Sequence, residues 1–191
     1  TLKTPPLIKN LETSDILKNI KETKIIDNLE SNTVVLKNLN LKELSFGELN
    51  KDKIFYVIKR TPGTGMFSNI TFILNHLKIC NKFDFIPIID MENFHTIYNE
   101  KNNVRNNKNA WNYYFENLNK FTLNEVYKSK NVLVTDNKFF DFFSNGIDKD
   151  MELPKLLRNK IVINKYLRKS YLKILKNFDN KDILGIHFRG T

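Results

Sequence analysis

Two short segments of this 191-residue chain combine residue types that can hold an anion. The first is Pro62-Gly63-Thr64-Gly65-Met66-Phe67-Ser68-Asn69. Gly63 and Gly65 let the backbone turn tightly and approach a ligand, and the amides that open a following helix favour negative charge. No Gly-Lys-Ser/Thr follows, so this is not a P-loop, and Ser68 stands where a dinucleotide fingerprint needs its third glycine, which weakens a nicotinamide-binding reading. Two readings stay open here: a plain turn with Ser68 as a helix cap, or contact with a phosphate or sugar nucleotide. The second segment is Gly185-Ile186-His187-Phe188-Arg189-Gly190-Thr191. Residues two apart on a strand face the same way, so His187 and Arg189 project together at the carboxyl end of a strand, where α/β proteins bind ligands. Arginine offers a rigid fork of donors for a pyrophosphate, and Gly190 lets the chain turn away. The alternative is a buried histidine satisfied by backbone, beside an arginine paired to a surface carboxylate.

The hydropathy pattern supplies elements to position both segments. Residues 54–58 (Ile-Phe-Tyr-Val-Ile) form an apolar run of strand length, and after the glycine loop Phe67, Ile70, Leu74, Leu77 and Ile79 recur at helical spacing. Residues 83–89 predict a second strand, with Pro87 pushing it toward an edge or bulge. Strand, loop, helix and strand make one βαβ unit. Farther on, residues 110–115 read as an aromatic helix, and Thr122 with Glu125 as a capping box opening a short helix. Residues 132–134 read as a third strand, 161–178 as a long amphipathic helix and 183–187 as a final strand. Before residue 50 the pattern is a helix opened by Ser14, a β-branched run at 33–36 and an alternation at Leu39, Leu41 and Leu44. The expected class is α/β, with a mostly parallel, Rossmann-like sheet flanked by helices.

Other polar residues carry two readings each. Asp90, after the second strand, caps a turn or binds a substrate hydroxyl. His95, Tyr98 and Glu100 lie in a polar loop, exposed to solvent or able to meet a ligand. Trp111, Tyr113, Tyr114 and Phe115 form core or stack on a sugar ring. His76 reads as a packed or half-exposed helix residue. Three His and one Cys without ligand spacing predict no structural metal.

Composition bounds the rest. With 41% hydrophobic and 27% charged residues, the chain is expected to be globular, not a disordered tail. Its longest apolar runs are short, so no membrane span is expected, and no charged region followed by an apolar one is visible, so any targeting segment is expected to have been removed or never to have existed. Thirty-one Lys+Arg against 21 Asp+Glu give +10, which attracts anions such as nucleic acid, polysaccharide or anionic lipid. Only five of those residues are Arg, the better tool for bidentate recognition, so nucleic acid is disfavoured as a partner. Cys80 is the single cysteine, which favours a reducing compartment.

The segment 186–191 resembles the His-x-Arg motif of the GDP-fucose-dependent fucosyltransferases, the group of α1,6-fucosyltransferases, nodulation fucosyltransferases and protein O-fucosyltransferases. The glycine loop with Asn69 at its helix start is similar to the loop opening that group's N-terminal domain. Residues 87–91 and 109–116 resemble stretches of bacterial and viral relatives. The likeness covers about residues 54–191 and implies the N-terminal half of a GT-B glycosyltransferase, inverting and metal-independent. It implies that Arg189 neutralises the β-phosphate of GDP and that His187 orients the donor. Gly63, Gly65, Met66, Phe67, Ser68 and Asn69 would approach the donor from the facing domain. The partners implied are a nucleotide-sugar donor and a glycan, lipid-linked or protein acceptor, with no cofactor. Acceptor contacts would fall to Asp90, His95, Tyr98 and Trp111. The expected division is a lead-in over 1–50, a Rossmann-like domain over 51–180 and the first strand of a truncated donor domain over 181–191. The Lys/Asn-rich bias tilts the setting toward a bacterial cytoplasm, with a Golgi or ER lumen as the alternative. The competing class is a non-catalytic basic α/β module for anionic polymers.

Overall fold

The computed structural model describes residues 20–29, 34–136 and 153–178. Its centre is strand β3 (Leu49–Ile58), whose residues Phe55 to Ile58 are all buried. A strand apolar on both faces belongs inside a sheet covered on both sides. β3 pairs in parallel with β4 (Ile86–Ile89) and, on its other side, with β5 (Ser129–Val134). β2 (Lys42–Ser45) runs antiparallel to β5, and β1 (Lys21–Glu22) antiparallel to β2, giving the order β1-β2-β5-β3-β4. The class is α/β as expected, but the sheet is mixed, parallel only across β5, β3 and β4. The reason lies in the link from β2 to β3: residues 46–48 are too few for a parallel crossover, so β2 must run opposite to β3.

The two-residue period divides the core. Tyr56, Ile58, Leu133 and Ile89 point to one face, where helix α2 (Met66–Phe83) lays Ile70, Ile73, Leu74 and Leu77. Phe55, Val57, Val132, Val134 and Ile88 point to the other, with Phe46, Val126 and Tyr127. Residues before 50 join the same core through Ile25, Ile26, Leu36 and Leu39. The β-branched run at 33–36 is helical from its second residue, in α1 (Val34–Asn38), because burying Val35 and Leu36 outweighs their strand preference.

Several element boundaries differ from expectation. α2 runs on to Phe83, and Asp84 ends it in the left-handed region (φ 54°), so the second strand begins only at Ile86. β4 is an edge strand, where Pro87 is tolerated, and its outward carbonyls are covered by side chains. Asn119 Nδ2 donates to Pro87 O at 2.6 Å and Asn109 Nδ2 to Ile89 O at 2.8 Å. The aromatic helix is a single 3-10 turn, Ala110–Tyr113, capped by Asn109. The capping box is complete and opens α3 (Leu123–Val126). Helix α4 (Leu153–Lys160) follows, with Leu156 buried. The long helix is shorter than expected: Asn164 accepts from Leu167 N and starts α5 (Lys165–Leu175), which continues as a 3-10 turn, Lys176–Phe178. The helix read from Ser14 and the strand read over 183–187 lie outside the described residues.

Candidate functional site

The glycine loop joins the carboxyl end of β3 to α2. Gly63 adopts φ 77°, and a Cβ there would sit 3.1 to 3.2 Å from the Asn69 amide and Arg60 O, so this position requires glycine. Asn69 is 1% exposed. Its Oδ1 accepts from Thr64 N at 3.0 Å and its Nδ2 donates to Thr64 O at 3.1 Å, clasping the loop onto the first turn of α2. Gly63 and Asn69 therefore shape the loop. Gly65 is the N-cap, with no side-chain cap bond and with open space where a Cβ would project. Ser68 is exposed and is not the cap, so a plain turn here stands without the expected Ser68 cap. Phe67 is 83% exposed and Met66 half-buried. The first-turn amides of Met66, Phe67 and Ser68 have no partner within the helix, and they form the positive end of an 18-residue helix.

The segment after β4 packs on this loop. Thr61 Oγ1 donates to His95 O, and Ile97 N donates to Pro62 O at 2.9 Å. His95 is exposed beside the loop. Asp90, by contrast, is fully buried and its two oxygens take four donors: Glu92 N at 3.0 Å, Asn93 N at 2.8 Å, Asn93 Nδ2 at 2.9 Å and the Tyr127 hydroxyl. Burial pushes its carboxyl up, and these hydrogen bonds pull the other way. Trp111 is 3% exposed, with Nε1 donating to Glu116 O at 3.0 Å. Tyr98, half-buried and edge-on to Tyr114, lines a small apolar cavity with Trp111, Met66 and Asn69. The structure thus brings Tyr98 and Trp111 together behind the glycine loop, leaves His95 at its rim, and engages Asp90 internally. His187 and Arg189 lie outside the described residues.

Chain order reverses between β3 and β5, the position at which open α/β sheets form a ligand crevice. Lys59 N donates to Thr135 Oγ1 at 3.0 Å, and Thr135 N to Val57 O at 2.9 Å, tying the two strand ends together. Lys59 Nζ lies 5.2 Å from the centre of the Phe94 ring. Burial, then the Lys42 charge, lowers the Lys59 ammonium pKa, and Asp136 opposes both. The Arg60 guanidinium stacks 4.6 Å from the Phe72 ring. Sequence reasoning missed Lys59, Thr135 and Asp136. The signal was their position directly after two apolar strand runs.

A cleft of about 390 Å³ lies along the edge of β4, walled by residues of the segment 103–124. Among the described residues, no helix is long and apolar enough to cross a membrane, and no group of three or more His, Cys, Asp or Glu is placed to hold a metal ion. In comparisons with known proteins, no family model, no curated protein and no solved structure matches the chain.

Proposed function

We propose that this chain is the acceptor-side half of an inverting GT-B glycosyltransferase that moves a sugar, L-fucose, from a GDP donor to a glycan or related acceptor. The observation that carries the reading is the open end of α2. A βαβ unit delivers a glycine loop whose N-cap offers no side chain to its own helix, so three amides and the helix dipole face outward next to the sheet's switch point. The ordered pair of glycine loop and His187-x-Arg189 supports it from sequence. In the reaction an acceptor hydroxyl attacks C1 of the sugar and gives up its proton to a base, the bond from C1 to the diphosphate oxygen breaks, and GDP leaves. Fixed positive charge from Arg189 stabilises that leaving group without requiring a metal. Losing one such contact costs on the order of 10²- to 10³-fold in rate.

The test is calorimetric titration of GDP, UDP, CMP and NAD into the protein in its full reading frame. GDP-selective binding that disappears in Arg189→Ala is expected. Indifference to all four nucleotides, with polyanion binding that fades steeply as salt rises, would favour the basic module, for which the +10 charge speaks.

A further inference from the structure

We propose that the cleft along the edge of β4 is a binding site for a neutral saccharide. Its role as the acceptor site rests on the function proposed above; its capacity to bind sugar does not.

The cleft has the size of a small-ligand pocket, at about 390 Å³. Eight asparagines line it, with one acid, Glu92, and one base, Lys108. In a chain of net charge +10, a pocket with balanced charge is poorly suited to a phosphate or a polyanion. It is well suited to hydroxyl groups. Each hydroxyl both donates and accepts, and an amide side chain not already engaged by the protein offers one accepting oxygen and two donating hydrogens. For the apolar face of a sugar ring the lining also includes Pro87, Phe121 and Leu123, all half-buried.

The walls are held in place before any ligand arrives. Asn109 donates to Ile89 O at 2.8 Å and accepts from Met91 N and Trp111 N, each at 3.2 Å. Asn119 bridges Pro87 O and Phe121 N at 2.6 and 3.0 Å. Asn112 Nδ2 donates to Asn117 Oδ1 at 2.7 Å. Asn103 and Asn124 remain exposed at the rim, where they can meet a ligand. Preorganised walls with exposed amides at the mouth reduce the ordering cost of binding.

The full chain is applied to an array of neutral, sialylated and sulfated glycans, and the best neutral ligand is taken to calorimetry, with GDP titrated separately. Retention of neutral glycans that survives about 0.5 M NaCl is expected. The double variant Asn103→Ala/Asn124→Ala, both exposed positions, should weaken that binding about tenfold and leave GDP affinity within about twofold. Asn106 is left unchanged, because its φ of 65° would strain an alanine. Circular dichroism confirms that the double variant is folded. The proposal is overturned if no neutral glycan is retained, if only acidic glycans bind and salt removes them, or if the folded double variant binds like the wild type. Variant-sensitive sugar binding in a protein that ignores GDP would uphold the saccharide cleft and reject the donor reading.

Discussion

Lowering the pH from about 7.5 to about 5 should cost the folded protein about 2 kcal/mol through one side chain, His76. This residue sits in the middle of α2, 3% exposed, with its Nδ1 sharing a hydrogen bond of 2.9 Å with the Tyr56 hydroxyl. Its ring packs on Phe72 at 4.4 Å. Burial, reinforced by the Arg60 charge, holds its pKa down to about 3, against 6.5 for an exposed imidazole. Between those values the unfolded chain binds a proton that the folded chain refuses. Stability from this group is therefore fully present above pH 6.5 and is lost as the pH falls toward 3. The slope is about 1.4 kcal/mol per pH unit, which gives the 2 kcal/mol and moves a urea midpoint by about 1 M. Asp90 and Glu92 act in the opposite sense, because burial raises both carboxyls and the folded state gains as they protonate. The comparison is therefore made with Tyr56→Phe/His76→Leu, which removes both partners of the hydrogen bond and leaves the carboxylates in place. A wild-type midpoint that tracks the double variant from pH 7.5 to 5 would refute the buried neutral imidazole.

Gly63→Ala should destabilise the protein by about 1–2 kcal/mol, since it places a side chain at positive φ, whereas Gly65→Ala, with open space around it, should stay within about 0.5 kcal/mol. Equal urea midpoints for the two would contradict the clasped loop. Gly65→Val should keep stability and lower GDP affinity, because its side chain enters the space in front of the first-turn amides; unchanged affinity would move the donor elsewhere. Gly47→Ala should cost about 1–3 kcal/mol in thermal or urea unfolding, because its Cβ would lie 2.5 Å from Lys128 O, a backbone atom that must move.

The centre of this fold is legible in sequence and its periphery is not. Residues 54–58 announce a central strand because an uninterrupted apolar run has no solvated face, and the structure buries four of the five. Pro87 marks an edge because it cannot donate to a ladder, and Thr122 with Glu125 marks a helix start because both halves of the box have a mutual use. The glycine loop is found by its breakers. What its residues do is decided by side-chain direction, which spacing does not encode: Asn69 turns inward to Thr64, and Asp90 turns inward to Tyr127. The antiparallel β1 and β2 are hidden because two- and four-residue strands carry almost no periodicity. Helix α4 was missed although Pro154, in its first turn, is a helix-start signal. The saccharide cleft is the least legible feature. Its asparagines are scattered from Asn103 to Asn124, and they converge because amide-to-backbone bonds fold a segment with little regular structure.

Calorimetric titration of GDP into the full-reading-frame protein, beside Arg189→Ala, tests the central claim most directly. Saturable binding of GDP over UDP, CMP and NAD, abolished in the variant, is the expected result. Binding of GDP that is indifferent to Arg189, or no nucleotide binding at all in a protein that unfolds cooperatively, would contradict it.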